Sequence, residues 1–277
     1  MVSPHAVHRS AGDPELVRVE RIGVGERFAA CVMLDRPERL NAIGWTMLGQ
    51  LQERLDEVRD DPQICVVLLT GRGRAFCSGG DIADLEHLQA DPERFPRFVE
   101  AFNRVASTIR RMETPVVALV NGVCVAGGLE LMLACDFAWA AESARIGDLH
   151  LNYAQVGGAG AMSYLPRLIG PNRARELVFS ARLLSATEAL DWGLVNRVLP
   201  DAELLPAALD MARGLAGKSA AAVRTVKRVI NAGLTTGVED ALRYETASAL
   251  LHCLTLPDAR AGASAFVQNH TSQSAGA

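Results

Sequence analysis

The chain is expected to fold as one α/β domain with a helical C-terminal subdomain, and three observations predict this. Apolar runs of strand length, "ICVVLLTG" and "PVVALVNG", alternate with stretches of helical periodicity. From Pro171 onward almost every segment has helical spacing. A chain of 277 residues, 49% hydrophobic and 22% charged, can bury one sizeable core plus a small appendage, in the proportions of an ordinary globular protein.

Taken in order, "MVSPHAVHRSAGDPE" is polar and small and has no apolar core segment, so 1–14 is expected to be a frayed tail rather than a signal peptide. "LVRVERI" and "FAACVMLDRP" flank the turn-like "GVGER" and predict an opening hairpin. In "GWTMLGQLQERLDEVRDD" the apolar residues Met47, Leu48, Leu51, Leu55 and Val58 recur on one helical face, and Pro62 ends the helix. Two buried strands follow, at 64–70 and from Pro115, with helical stretches beginning near Asp81 and Arg94 between them. The later segments "NRARELVFSARLL", "ATEALDWGL", "AELLPAALDMARGLA", "AAVRTVKRVINAG" and "VEDALRYETASALLHCL" are read as helices. This gives a core domain over 15–200, a helical, oligomer-forming subdomain over 201–268 and a frayed tail over 269–277.

A net charge of −4 speaks against a nucleic-acid surface, which needs clustered Lys and Arg. The longest apolar stretch, Pro115 to Ala141, is interrupted by Asn121, Glu130 and Asp136, so no membrane span is expected. Cys31, Cys65, Cys77, Cys124, Cys135 and Cys253 form no C-x-x-C pair, and most stand in apolar runs. They are read as reduced thiols, which suits a cytoplasmic setting.

Chemistry is concentrated in three stretches. In "NGVCVAGGLELMLACD" a Gly-rich turn precedes an apolar helix that holds Glu130 among Leu129, Leu131, Met132 and Leu133. A carboxylate buried without a partner costs several kcal/mol, so such a Glu is expected to have a task. Gly127 falls in the first turn, where backbone N–H groups are free and the helix dipole favours negative charge; Glu130 rises only about 4.5 Å above it on nearly the same face. The second stretch, "TGRGRAFCSGGDIADL", is neither a P-loop nor a dinucleotide fingerprint, because Phe76 stands where the latter needs Gly. Its backbone can approach a ligand closely at Ser78, Gly79 and Gly80, and Asp81 can cap the helix that follows. The third stretch, "RIGDLHLNY", alternates polar and apolar. If extended, it lines Asp148, His150 and Asn152 along one surface.

Five pieces in register, "LDRPERLNAIG", "GRGRAFCSGGDIADL", "NGVCVAGGLELMLACDFAWAAESARIG", "VGGAGAMSYLPRLIG" and "RLLSATEALDWGLVNRV", resemble the crotonase (enoyl-CoA hydratase/isomerase) superfamily from about residue 16 to 268. The resemblance implies a crotonase-like spiral of repeated ββα units with a C-terminal helical subdomain, assembled as a homotrimer or a dimer of trimers. It implies an acyl-CoA thioester substrate, so that coenzyme A arrives with the substrate and neither a separate cofactor nor a metal is called for. It places the two backbone donors of an oxyanion hole at Ser78 and Gly127; the substrate contacts expected beside them are Gly79, Gly80, Asp81, Gly128, Asp148 and Gly158, with Arg39 and Arg74 added on charge alone. Of the two carboxylates a hydratase of this family uses, Glu130 matches the first; the place of the second, twenty residues on, holds His150. An imidazole both donates and accepts, so it can fill that acid–base role, with Asp148 fixing its tautomer if the two face the same way.

The chain also departs from the family in two other places. "AQVGGAG" replaces the usual Ile-Pro-Gly, and Gln268, Asn269 and His270 stand where a basic residue often helps to hold coenzyme A, which leaves Arg36, Arg39, Arg72 and Arg74 as the cations for its phosphates. The expected reaction is addition of water to an α,β-unsaturated acyl-CoA; the alternatives within the fold are double-bond isomerisation and hydrolytic carbon–carbon cleavage. Outside these, RNA binding is disfavoured by the five acids against two Arg in "QERLDEVRDD". A serine hydrolase built from Ser78, His150 and Asp148 is disfavoured by the missing nucleophile elbow.

Overall fold

The computed structural model describes residues 14–262 and Ser264. The tails expected over 1–14 and 269–277 lie outside the described residues except for Pro14, whose carbonyl accepts a hydrogen bond from Gln50 Nε2 at 2.8 Å. Gln268, Asn269 and His270 also lie outside them.

The opening hairpin forms as expected. β1 (Val17–Gly23) pairs antiparallel with β2 (Phe28–Leu34), and α1 (Trp45–Arg59) buries Met47, Leu48, Leu51, Leu55 and Val58. After this the chain repeats one unit three times. β3 (Ile64–Gly71) is followed by β4 (Ala75–Cys77) and by the helices α2 (Ile82–Gln89) and α3 (Arg94–Arg111). β5 (Val116–Val120) is followed by β6 (Val123–Val125) and α4 (Gly127–Ala134). β7 (Phe137–Ala141) is followed by β8 (Arg145–Gly147), a 3-10 turn at His150–Tyr153, and the helices α5 (Ala161–Ile169) and α6 (Pro171–Ser180).

In each unit the first strand joins one sheet and the second strand joins another, so the chain winds as a spiral. The large sheet runs β1-β2-β3-β5-β7-β10 and the small one β4-β6-β8-β9; β3, β5 and β7 are mutually parallel, as are β4, β6 and β8. β9 (Leu184–Ser185) and β10 (Arg197–Leu199) interrupt the stretch read from the sequence as all helix, on either side of α7 (Ala186–Asp191). Two or three residues leave no periodicity to read, and these strands exist because an existing sheet edge supplies their hydrogen bonds.

The large sheet is covered on both faces, which is why its central strands are unbroken apolar runs. Val67, Leu69, Val116, Ala118 and Val120 face the main core, together with Phe98, Phe102, Val105, Ala106 and Ile109 of α3. Val66, Leu68, Val117, Leu119 and Trp139 face the other way, onto Leu204, Ala208 and Ala212 of α8 (Leu204–Ala216). α9 (Ala220–Gly233) and α10 (Val238–Thr255) pack on each other; α10 has no buried residue and exposes Leu242, Leu250, Leu251 and Leu254.

One buried charge fastens α9 to the core. Lys227, 7% exposed, donates to Asp136 Oδ2 at 2.7 Å and to the Thr114 carbonyl at 3.1 Å, and Asp136 Oδ2 also accepts the Val116 amide at 2.6 Å. Replacing Lys227 by Met leaves that carboxylate largely desolvated and unpaired. The expected loss of unfolding free energy in urea is about 3 kcal/mol, the low end for a broken buried pair, because Asp136 keeps some exposure.

Candidate active site

The small sheet builds the site. Its three parallel strands end at one edge, at Cys77, Val125 and Gly147, and the residues that follow each end are those of the three chemical stretches. In open parallel sheets ligands bind outside the carboxyl ends of the strands, because the loops there converge and backbone groups run out of sheet partners.

After β4, Gly79 takes a φ of +93°, and a Cβ there would stand 2.9 Å from Ala126 Cβ and 3.1 Å from the Gly127 nitrogen. After β6, Ala126 takes φ +50° and ψ −119°, a conformation an L-residue holds only under constraint. This sharp turn starts α4 with Gly127 as its first residue. The Gly127 N–H finds no acceptor among the described residues, as expected for the open end of a helix. Gly128 serves packing: a Cβ on it would come within 2.1 Å of the Cys77 carbonyl oxygen.

Glu130 stands one turn up α4 and is 3% exposed. Its Oε1 accepts the amides of Ala159 at 2.7 Å and Ala161 at 3.2 Å, from the Gly-rich loop that leads into α5. Burial raises its pKa above the ordinary carboxylate value; the two amides and the nearby His150 oppose that without cancelling it.

The third stretch is not extended beyond Gly147. Asp148 Oδ1 accepts the backbone N–H of His150 at 3.0 Å, a turn-forming bond two residues on, and the chain continues into the 3-10 turn with Asn152 exposed. The expected row of Asp148, His150 and Asn152 along one strand face is therefore corrected. Asp148 and His150 still meet, since the same Oδ1 lies 2.7 Å from His150 Nδ1. Asp148 is fully buried, and its Oδ2 has no partner among the described residues. Burial pulls the imidazole toward its neutral form, but the hydrogen bond and charge of Asp148, with the charge of Glu130, outweigh that and carry its pKa above the ordinary value. Nδ1 is the nitrogen bonded to Asp148, so Nε2 is left for other work.

Glu130 and His150 come together around Gly157. A Cβ on that residue would lie 3.0 Å from both Glu130 Oε1 and His150 Cε1. Gly157 and the amides of Ala159 and Ala161 are site elements that the sequence reading passed over; the signal was the small-residue run "VGGAGA" itself.

The other residues expected at the substrate have the following surroundings. The Ser78 N–H donates to the Leu40 carbonyl at 3.0 Å, and the Ser78 hydroxyl lies 3.5 Å from the Arg39 carbonyl, with no bond to His150. Asp81 caps α2 through the Ala83 amide at 3.1 Å and pairs with Arg36 at 2.6 Å, so it holds a helix in place. Gly80 forms a backbone bridge with Ile43. The Gly158 carbonyl accepts from Asn103 at 2.7 Å. Arg72 pairs with Asp35, while Arg39 and Arg74 are exposed without ion pairs among the described residues. Arg74 immediately precedes β4, at the end of the strand away from the site.

The chain and its fold have known relatives. A sequence profile described as Enoyl-CoA hydratase/isomerase matches residues 26–273. The chain belongs to that family. The crotonyl-CoA hydratase of Syntrophomonas wolfei is 35% identical over 244 residues, which cover 88% of this chain and 93% of that one. The short-chain-enoyl-CoA hydratase of Clostridium acetobutylicum is 32% identical, with 88% and 92% covered. Among solved structures, an enoyl-CoA hydratase from Bacillus anthracis superposes with a TM-score of 0.87 at 32% identity, covering 92% of this chain and 97% of the other. The spiral of ββα units is thus the crotonase fold.

Within this enoyl-CoA hydratase/isomerase fold the glycines after β4 are not equivalent. Gly79→Ala forces a side chain into a positive φ and against the Gly127 nitrogen, and about 2 kcal/mol of unfolding free energy should be lost in urea. Gly80→Ala meets only the movable end of Leu85 and should cost clearly less. Equal losses would show that the approach to Gly127 is not the constraint.

Proposed function

We propose that the chain is an enoyl-CoA hydratase that adds water across the α,β double bond of an acyl-CoA thioester. The observation that carries this reading is the convergence of Glu130 and His150 on either side of Gly157, one helical turn from the open amide of Gly127. As water attacks Cβ, the thioester oxygen takes up charge and becomes an enolate oxygen. The Gly127 N–H, backed by the dipole of α4, receives that charge. Glu130 takes the proton from the attacking water, and a proton reaches Cα from His150. The C=C π bond is replaced by one C–O and one C–H bond, and the product is a 3-hydroxyacyl-CoA.

Ser78 joins Gly127 as the second donor only by exchanging its bond to Leu40 for one to the thioester oxygen. Arg39, exposed and next to Ser78 through its own carbonyl, suits the charged part of coenzyme A. The apolar residues exposed along α9 and α10, among them Val226, Ile230, Leu250 and Leu254, support self-association as a trimer or a dimer of trimers. Among the described residues no helix is long and apolar enough to cross a membrane, and the reduced cysteines agree with a cytoplasmic enzyme.

Crotonyl-CoA, tested beside a 3-enoyl-CoA, decides the reading: disappearance of the conjugated thioester in the first defines a hydratase, and its appearance from the second an isomerase. Glu130→Gln keeps the shape and should lower hydration about a hundredfold or more. The same variant should gain stability. Because the folded protein holds the Glu130 proton more tightly than the unfolded chain, the stability this group contributes is fully present below the ordinary carboxylate value and is lost as pH rises through its raised value. Gln has no proton to lose, so the variant's melting temperature should exceed that of the natural protein by more at pH 8 than at pH 4.

A further inference from the structure

The residue that stands behind His150 has no counterpart in a mechanism with two carboxylates. Asp148 is fully buried at the end of β8, and one of its oxygens takes both the backbone N–H of His150 at 3.0 Å and the ring Nδ1 at 2.7 Å. The other oxygen is buried with no donor among the described residues. A carboxylate in that state needs a compensating charge close by, and the imidazole is placed to supply it. The charged and titratable groups on the elements around the pair do not take over this task. Glu130 on α4 is itself acidic. Arg110 on α3 lies over the ring of Tyr164 on α5; its Nη1 is buried with no hydrogen-bond partner among the described residues, and the acid its charge acts on is Glu130. On α6, which packs against the 3-10 turn, Arg173, Arg175 and Glu176 are all exposed, with Arg173 over Trp192 and Glu176 on Arg182.

We propose that Asp148 is the positioning residue that makes His150 the proton donor of this site, and that positions 148 and 150 form one unit in which a buried carboxylate at the first requires an imidazole at the second. The proposal rests on the hydratase reading for its direction: in the resting enzyme the proton sits on His150 and Glu130 is the free base. Asp148 does not touch substrate. It holds Nδ1–H, turns Nε2 toward the space around Gly157 and keeps the ring protonated until Cα takes that proton. The proton removed from water ends on Glu130, and its return to Nε2 through solvent resets the site. A consequence is that a Glu placed at 150 cannot work beside Asp148, because the two carboxylates then share a buried pocket with Glu130 as the third.

The test uses histidine-labelled full-length protein without substrate, followed by nuclear magnetic resonance across pH. In the natural protein the ring of His150 should carry its neutral-state proton on Nδ1 and stay protonated above the ordinary imidazole range; Asp148→Asn should lower the protonation midpoint. A neutral ring protonated on Nε2 in the natural protein, or an unchanged midpoint in the variant, overturns the proposal. If Asp148→Asn does not fold, the tautomer of the natural protein decides alone.

With crotonyl-CoA, the loss of kcat in Asp148→Asn should deepen as pH rises, by up to about tenfold per pH unit between the shifted midpoint and the natural one, and level off above the natural one, while KM changes little. His150→Glu alone should be nearly inactive, and His150→Glu combined with Asp148→Gln should recover at least about tenfold over it. A double variant no better than the single one sinks the coupling. Failure of the natural protein to hydrate crotonyl-CoA would count against the hydratase reading, and the resonance measurement would still decide the pair.

Discussion

The site depends on how closely β4 lies against the turn from β6 into α4. Three glycines permit that approach: a Cβ on Gly122 would come within 2.1 Å of the Arg74 carbonyl, one on Gly128 within 2.1 Å of the Cys77 carbonyl, and one on Gly79 within 3.1 Å of the Gly127 nitrogen. With side chains at these places the strands would separate, and the loop after β4 would no longer rest on the start of α4. The strained backbone of Ala126 belongs to the same arrangement. It turns the chain out of β6 sharply enough that α4 begins with its open amides beside Gly79.

The second constraint is electrostatic. Three ionisable groups, Glu130, Asp148 and His150, occupy a nearly dry space where isolated charges are costly. Two amides from the 157–161 loop and one imidazole offset that cost in part, and what remains is the raised proton affinity of Glu130; the imidazole of His150, which burial alone would turn neutral, is held protonated by Asp148 and Glu130. A buried acid that holds its proton as Glu130 does is unfavourable for stability once pH rises past its value, and useful for proton transfer, which is the usual trade at an active site. Replacing a carboxylate by His150 changes the balance: one basic group now stands among two acids, and the buried partner of that base belongs to the chemistry as much as the base itself.

Much of the scaffold was legible because it repeats a simple pattern over enough residues. α1 shows its buried stripe, β3 and β5 read as strands buried on both faces, and α3 carries Phe98, Phe102, Val105 and Ile109 at helical spacing. The short strands β6, β8, β9 and β10 have no such pattern, since two or three residues acquire their conformation from the neighbouring strand. The stretch around His150 misled for a local reason: alternation suggested a strand, but the carboxylate of Asp148 captured the backbone two residues on and turned the chain.

By itself the sequence determined the types of group available and their local spacing: an acid one helical turn above a glycine, a histidine two residues after an aspartate, and two glycine-rich stretches that end strands. Those relations are fixed by the covalent chain and by helix or turn geometry. Only the tertiary structure decided which groups meet. It set Glu130 against the amides of Ala159 and Ala161, placed Gly157 between Glu130 and His150, gave the Ser78 amide to Leu40 and turned Asp81 to Arg36. Partners separated by about thirty residues or more are selected by how the spiral stacks its turns, and no local pattern carries that information.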